Sequence, residues 1–442
     1  MRPTKVPKAI MLLLFLVALF RKQVYLLPTL AFQHGRGRSG TPSIAQHTTL
    51  PSTSATMLNL LSSPSTTTGL KHLGTPRSPT RPSGMTTSVL DAAAIPSAAS
   101  TAAILSSPLL QILPIQVLIA CSIPTCLGYY KSEYGVSYAY GLATSVSGYL
   151  IFKKLLSMSM KGVAGGAVGS LASALQSISL YHCASLVFYG VRLCIFLYIR
   201  TTISQRMKDM NKRIEQRAKD RGSRFARTPF LVNCSLLYFG LCTPLLLSSN
   251  LVQVVASTSS KLLSATALPF QSFAITALKA LVGIQWLGFV IAAWGDTTKT
   301  FVKKVLQKNE NYLVTSGIFS VLRHPNYTGE MISWTCNNLV GLITSIMTVV
   351  LMFITKNPTK NLGLLGLYTA LSLLGNVGIV FVLLQATKNL ELRQEQEYGN
   401  DVDDPNFEKF IRWKQSSWGG LQLPTSEATP TSTPADSDDR GE

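Results

Sequence analysis

The chain has 442 residues, of which 47% are hydrophobic and only 14% charged, and its formal net charge is +20. This balance is typical of an integral membrane protein, and it argues against nucleic-acid binding because the cations flank apolar segments instead of forming a soluble basic face. Only four of the 40 Lys and Arg, but 11 of the 20 acids, lie at or after Glu395. The strongly basic remainder predicts contact with an anionic membrane surface or an anionic cofactor.

The first hundred residues have the composition of a targeting sequence. Three cations precede the apolar run Ala9–Phe20, which has the length of a signal-peptide core, and residues 32–104 are rich in Ser, Thr, Pro and Ala with almost no acids. We therefore predict a signal peptide (1–31) and a disordered, transit-peptide-like region (32–104). Together they resemble the bipartite presequences of algae with secondary plastids, which implies a plastid membrane. The alternative is a signal anchor with a disordered stalk in the endoplasmic reticulum membrane.

From residue 105 onwards, apolar segments recur at regular intervals, and each is near the ~20 residues that a helix needs to cross a bilayer. We predict an all-α fold: a polytopic membrane bundle of six or seven transmembrane helices, beginning with N-terminal spans in 105–179 and ending in a disordered acidic tail, 424–442. The seven cysteines fall mostly inside these segments without histidine partners, so no metal site is expected. The predicted spans are Leu109–Leu127, Val136–Phe152, Tyr181–Ile199, Pro229–Ser248, Phe273–Trp294, Trp334–Ile354 and Leu362–Gln385.

The loops between the later spans alternate in charge. The loop Arg200–Arg227 has ten Lys or Arg, the loop Asn250–Ser272 has only Lys261, and the loop Gly295–Arg323 is again basic. The positive-inside rule then places the two basic loops on the same side of the membrane. If the last two spans form a hairpin that turns at Lys356–Lys360, the C-terminal tail returns to that side as well. We expect the polar segments to converge at one end of the bundle.

The stretch LRHPNYTGEMISW, residues 322–334, places polar groups directly before an apolar run. Pro325 has no N–H and a fixed φ, so it suits the first turn of a helix, whose free N–H groups could bind an anion beside Arg323. Asn326 and Glu330 are four residues apart and share a helix face. The alternative is a simple interfacial anchor, in which Tyr327 and Trp334 form an aromatic belt, but Asn326 and Glu330 are unnecessary for anchoring.

This stretch resembles the signature of the steroid 5α-reductase C-terminal domain family and its uncharacterised relatives. It is also similar to the R-H-P-x-Y-x-G pattern of isoprenylcysteine carboxyl methyltransferases and phospholipid methyltransferases. Glu330 after Gly329 favours the reductase-type group. Three more segments are similar to those relatives, namely Val191–Thr201, Trp294–Lys304 and the closing stretch 390–413, so that the resemblance covers about 180–423. The residues that match the signature are Gly317, Phe319, Arg323, His324, Pro325, Asn326, Tyr327, Gly329, Glu330 and Trp334.

The resemblance implies a membrane catalytic domain over 180–423 that binds NADPH. The implied cofactor-binding residues are Asn326, Glu330, Arg323, Asp296, Arg192 and Arg200. The implied catalytic residues are Tyr327, His324 and Glu133. Of these, Glu133, with Tyr134 or Tyr138, is the candidate counterpart of the Glu and Tyr that polarise the substrate in steroid 5α-reductases.

Three functions are consistent with these features. The first is an NADPH-dependent reductase of a conjugated double bond in a lipid-soluble substrate such as a sterol, a polyprenoid or an enoyl lipid. The second is an S-adenosylmethionine-dependent methyltransferase of a prenyl or phospholipid substrate, in which Arg323 and His324 would hold the cofactor carboxylate and Glu391, Glu395 and Glu397 its amine. The third is a membrane scaffold or transporter. Transporters usually place ionisable residues inside their spans, whereas most here gather at one interface.

Overall fold

The structure, a computed structural model, describes residues 108–159, 167–220, 222–258, 269–307, 309–355, 362–399, 404 and 406–421. The predicted signal peptide, the transit-peptide-like region and the acidic tail lie outside these ranges, as does the predicted turn Lys356–Lys360. The described residues thus cover the helical body of the chain.

The prediction of an all-α fold is confirmed. Within the described ranges the chain is helical, with an isolated bridge between Leu322 and Trp418 as its sole β pairing. Short π-helical turns, Tyr134–Tyr138 and Val302–Leu306, and a 3₁₀ turn, Arg224–Arg227, join some of the helices. The α-helices are α1 (Pro108–Thr125), α2 (Leu127–Tyr130), α3 (Ala139–Ser159), α4 (Ala167–Ile203), α5 (Gln205–Asp220), α6 (Thr228–Ser257), α7 (Pro269–Phe301), α8 (Ile318–Val321), α9 (Pro325–Ile354), α10 (Leu362–Tyr398) and α11 (Phe407–Ser416).

Six segments of the described chain are long and apolar enough to cross a membrane, and the protein is therefore an integral membrane protein. They fall on α1 with α2, α4, α6, α7, α9 and α10. The prediction allowed for a seventh span. Its counterpart, α3, has 21 residues, but several Ser and Thr, Lys153 and Lys154 lower its hydropathy. It still packs inside the bundle, where Ala143, Ile151 and Leu155 are fully buried.

Helices α7 and α9 approach each other closely through facing glycines. A Cβ atom placed on Gly288 would lie 2.6 Å from the carbonyl oxygen of Gly329, and one placed on Gly329 would lie 2.8 Å from the backbone nitrogen of Ala292. Small residues at such contacts let membrane helices pack backbone to backbone. The same kind of contact joins α3 to α4 at Gly141 and Gly190, and α6 to α10 at Gly240 and Gly375.

This contact yields a stability prediction. Gly329→Ala should lower the free energy of unfolding by about 1–3 kcal/mol or more, because the added methyl group meets backbone atoms that can move only if the two helices separate. The matched control is Gly283→Ala in α7, where nothing lies within 4 Å of an added Cβ. It should be neutral or stabilising, since alanine is the better helix former. Unfolding of both variants in detergent would be compared with that of the parent, and an unchanged Gly329→Ala would contradict the close approach.

Buried polar side chains link four of the long helices to one another. Nε2 of His182 on α4 lies 2.8 Å from Oδ1 of Asn337 on α9, and Asn337 donates in turn to the carbonyl of Leu241 on α6. Gln285 on α7 donates to Oγ of Ser185 on α4 at 2.9 Å. Hydrogen bonds of this kind hold membrane helices together where water is absent. They fix how α4, α6, α7 and α9 are arranged, and thereby position the polar ends of these helices.

The predicted convergence of the polar segments at one end of the bundle is confirmed by their contacts. Glu310 accepts hydrogen bonds from the backbone N–H groups of Gln205 and Arg206 at the start of α5. At the end of α10, the hydroxyl of Tyr398 donates to the carbonyl of Asn311 at 2.6 Å. The segment between α7 and α8 therefore lies between the basic helix α5 and the C-terminal part of α10.

The basic loop Arg200–Arg227, which was predicted only as a connection between two spans, contains the amphipathic helix α5. Its apolar side chains Met207, Met210 and Ile214 recur at helical spacing and line cavities in the protein. On the opposite side, Lys208 and Lys212 are exposed. The signal was present in the sequence, but the high density of charges obscured it.

Candidate functional site

The predicted helix start in the RHPNY stretch is present in the structure. Helix α9 begins at Pro325, with His324 as its N-cap residue. The first hydrogen bond of the helix runs from the N–H of Thr328 to the carbonyl of His324. Since Pro325 has no N–H, the donors left at this end are those of Asn326 and Tyr327. Both residues are half-buried and line a cavity.

Arg323 and His324 bind the C-terminal part of the chain. Nε2 of His324 lies 2.5 Å from Oε1 of Glu391 on α10, and Nε of Arg323 lies 3.2 Å from the same oxygen. All three residues are buried. Burial lowers the pKa of His324, although the hydrogen bond and the negative charge of Glu391 act in the opposite direction. His324 and Arg323 thus both contact the carboxylate of Glu391, and Arg323 supplies a positive charge.

Arg323 is also bound to the segment around α11. Its Nη1 donates to the carbonyl of Lys414, and its backbone N–H donates to the carbonyl of Trp418. Trp418 returns a hydrogen bond from its own N–H to the carbonyl of Val321. These contacts close the C-terminal segment over the start of α9.

A second buried ion cluster joins α4, α7 and α9. Nη1 of Arg192 lies 2.6 Å from Oδ2 of Asp296, and its Nη2 lies 3.8 Å from Oε1 of Glu330. The guanidinium also lies over the ring of Tyr189, 5.3 Å from its centroid. Three of the predicted cofactor-binding residues are thus in contact with one another. Asp296 lines the same cavity as Asn326 and Tyr327, whereas Arg192 and Glu330 are not part of its lining.

The cavity at this end of the bundle, called the polar cavity below, has a volume of about 200 Å³. Seven Lys or Arg line it against three carboxylates, Asp296, Glu310 and Glu397. Each of those carboxylates already has a cationic partner: Arg192, Lys304 and Arg206, respectively. The seven cations are Arg200, Arg206, Lys299, Lys303, Lys304, Arg323 and Arg393.

Several of these cations have no carboxylate partner. Within the described part of the chain, Arg200, Lys299 and Arg393 form no ion pair, and Lys303 donates only to the backbone carbonyl of Glu310. Cations that line a cavity without counter-charges favour a bound anion. The polar cavity is therefore suited to a ligand with phosphate groups.

A second, larger cavity lies beside the first and is called the apolar cavity below. Its volume is about 550 Å³, and its wall is largely apolar, with side chains such as Leu197, Ile214 and Phe230. Met207 and Met210 line both cavities. An apolar cavity of this size with a few polar groups is typical of a small-molecule site.

Two of the predicted polar residues belong to the apolar cavity. Glu133 and Tyr138 both line it, and the hydroxyl of Tyr138 lies 3.3 Å from Oγ1 of Thr201. Burial raises the pKa of Glu133; Lys131 opposes this effect and Glu215 adds to it. Burial likewise raises the pKa of Tyr138. Tyr134, the other aromatic candidate, is not part of this lining.

Residues 170–359 match a family described as a protein of unknown function, DUF1295. The matched range contains Arg192, Asp296, Lys299 and the RHPNY stretch, but it ends before α10 and Glu391. No curated protein and no solved structure gives a significant match.

The structure brings most of the predicted site residues to one place. Those that line the polar cavity are Arg200, Asp296, Arg323, His324, Asn326 and Tyr327. Glu330 shares its helix with Asn326, but its carboxylate lies toward Arg192, outside that lining. Glu133 belongs to the apolar cavity. The binding and catalytic roles assigned to all these residues remain predictions.

Sequence reasoning missed several residues that line the polar cavity, above all Lys299, Lys303 and Arg393. For two of them a signal existed. Lys299 and Lys303 follow Asp296 at helical spacing, so they continue along the same side of one helix. Arg393 belongs to the segment that the hairpin prediction returns to this end, but no local pattern separates it from the other polar residues there.

Proposed function

We propose that the protein is a membrane-embedded, NADPH-dependent reductase that acts on a double bond conjugated to a carbonyl group in a lipid-soluble substrate. The observation that carries this proposal is the meeting of two unlike cavities. One is lined by cations, the other is largely apolar, and Met207 and Met210 belong to both. An anionic cofactor in the first and a lipophilic substrate in the second would meet at these methionines. The resemblance of residues 180–423 to the steroid 5α-reductase C-terminal domain family supports the same assignment.

The charge of the polar cavity supports NADPH as the cofactor. The phosphates of NADPH would be paired with Arg200, Lys299 and Arg393, which have no carboxylate partner among the described residues. The half-buried Asn326 makes no side-chain hydrogen bond within that same part of the chain, so its amide is available for a polar group of the cofactor. When bound, NADPH supplies the hydride.

The polar groups of the apolar cavity fit the other half of the reaction. A hydrogen bond to the substrate carbonyl stabilises the negative charge that develops on its oxygen when a hydride adds to the conjugated double bond. Tyr138 is one such donor, and its raised pKa keeps the phenol protonated. Glu133, whose pKa is raised by burial, lines the same cavity and is the second candidate. Tyr327, on the side of the polar cavity, stays the candidate for proton supply, while His324 positions Glu391.

The alternative function, S-adenosylmethionine-dependent methyl transfer, fits the charges less well. That cofactor carries a sulfonium cation, which seven cations around the cavity disfavour. In addition, the three tail acids suggested as partners for its amine are already engaged. Glu391 binds His324, Glu395 binds Lys414, and Glu397 lies 3.7 Å from Arg206.

The location follows from the sequence prediction. A signal peptide followed by a transit-peptide-like region supports a plastid membrane as the site of the reaction. The cation-rich end, with α5 and the RHPNY stretch, would face the compartment that supplies the cofactor.

The experiment that tests the proposed function compares two cofactors on the detergent-purified protein. NADPH at a hundred times its Kd should stabilise the folded protein by about 2.7 kcal/mol, whereas S-adenosylmethionine should leave the unfolding temperature unchanged. Stabilisation by S-adenosylmethionine alone would establish the methyltransferase alternative. Stabilisation by neither would remove the polar cavity as a cofactor site.

A further inference from the structure

The described part of the chain ends at Leu421, close to the polar cavity. Helix α11 contributes Trp413 to the lining of that cavity, and Trp418 exchanges backbone hydrogen bonds with the segment that precedes α9. Gly420, at a φ of 75°, packs against the first turn of α9, where an added Cβ atom would clash with Oγ1 of Thr328. The residues that follow Leu421 therefore start at the end of the bundle where the cavity lies.

The chain beyond this point, segment 422–442, carries the opposite charge to the polar cavity. It contains five acids and one cation, Arg440, and three of the acids fall within the four residues D-S-D-D. Asp436, the first of these, follows Leu421 by 15 residues, a length of chain that reaches about 50 Å when extended. The acids can therefore reach the cavity. They are Glu427, Asp436, Asp438, Asp439 and Glu442.

Two groups of cations at this end of the bundle could attract the segment. The first is on the outer side of α5, where Lys212 and Lys219 are exposed. Salt screens the attraction between exposed charges beyond about 8–10 Å, so this group binds an acidic chain weakly. The second lines the polar cavity, where Arg200 and Lys299 are half-buried and form no ion pair within the described chain. Cations that converge in a cleft act together and are screened less, which favours the cavity.

We infer that segment 422–442 is an internal competitor of the cofactor: the carboxylates of Asp436, Asp438 and Asp439 occupy the polar cavity until NADPH displaces them. Carboxylate and phosphate oxygens accept the same charge-assisted hydrogen bonds from Arg and Lys, so the two ligands exclude each other. The inference rests on the proposed function, because it describes the regulation of the site assigned to NADPH.

The first test compares NADPH affinities of the full-length protein in detergent by calorimetry. The variant that combines Asp436→Asn, Asp438→Asn and Asp439→Asn should bind NADPH more tightly than the parent. If the segment fills the cavity in nine molecules of ten, the gain is about tenfold, because only the open fraction binds the cofactor. NADPH binding with the same affinity in both proteins would overturn the inference.

A matched control removes the same number of charges at the same end of the bundle. It combines Asp209→Asn, Asp220→Asn and Glu408→Gln on α5 and α11, three positions outside the lining of both cavities. Its affinity for NADPH should stay close to that of the parent. If the control gains as much affinity as the segment variant, the effect comes from the overall charge of the protein, and the inference fails.

The second test needs no NADPH. A photoreactive p-benzoylphenylalanine replaces Ser437 in the full-length protein, and its crosslinks are mapped by mass spectrometry. They should fall on residues of the polar cavity such as Lys299 or Arg393, and inorganic pyrophosphate, which competes as an anion, should lower their yield severalfold. Crosslinks to Lys212 or Lys219 instead, with no response to pyrophosphate, would place the acids on the outer side of α5 and overturn the inference.

The two tests together separate this inference from the proposed function. If NADPH binds the parent and the segment variant equally well and no crosslink reaches the cavity, the competition fails and the reductase proposal stands. If pyrophosphate-sensitive crosslinks form in the cavity but NADPH binds neither protein, the docking of the segment stands and the reductase proposal fails.

Discussion

Glu391→Ala should lower the free energy of unfolding by about 3–5 kcal/mol, the typical cost of removing one partner from a buried ion pair. Glu391 is only 5% exposed, and it binds both His324 and Arg323, which are 1% and 8% exposed. Without the carboxylate, the cation of Arg323 stays buried beside a polar imidazole that has lost its acceptor. The C-terminal segment, which Arg323 holds through Lys414 and Trp418, should loosen as a consequence.

Two further variants make this result specific. Glu391→Gln keeps an acceptor for His324 but removes the charge that faces Arg323, so its loss should be intermediate. Glu408→Ala in α11 breaks a pair with Arg412 in which both side chains are more than 80% exposed, and it should change stability little. The free energy of unfolding of all three variants would be measured by denaturant titration in detergent. If Glu391→Ala unfolds like Glu408→Ala, the contact of α10 with the start of α9 is not a major source of stability.

Much of the fold could be predicted from local rules. The start of α9 at Pro325 follows from the fixed φ and missing N–H of proline, and the spans follow from runs of apolar residues. The lengths of the helices were harder to predict from the sequence. Helix α4 runs from Ala167 to Ile203, although the predicted span was Tyr181–Ile199. The added N-terminal turns are rich in Ala, Ser and Gly, so hydropathy gives only a weak signal for where the helix begins.

The candidate site was predictable in part. The cation distribution predicted that α5, the RHPNY stretch and the tail meet at one end, because charge asymmetry reflects membrane sidedness. The pairing of Arg192 with Asp296 and Glu330 could not be derived, since it depends on how three helices rotate about their axes. For the same reason, Asn326 and Glu330 share a helix face but have different surroundings. The apolar cavity was not predicted at all, because its wall combines residues from α5 with residues far from it in the sequence.

Lys299→Gln and Arg200→Gln should each weaken NADPH binding roughly ten- to a hundredfold, the loss expected for a charge-assisted hydrogen bond worth about 1.5–3 kcal/mol. Both residues line the polar cavity, and neither forms an ion pair within the described chain. Removing their charge therefore breaks no salt bridge of the folded protein, so stability in the absence of NADPH should change little.

The dissociation constant would be measured by calorimetry in detergent at several salt concentrations. The affinity of the parent for NADPH should fall as the salt concentration rises. The affinity of the variant that combines Lys299→Gln with Arg200→Gln should fall less, because fewer charges remain to be screened. Lys279→Gln is the matched control, since Lys279 lies on the same helix as Lys299 but is exposed outside the lining of the cavity. If Lys279→Gln weakens binding as much as Lys299→Gln does, NADPH responds only to the overall charge of the protein, and the polar cavity is not its site.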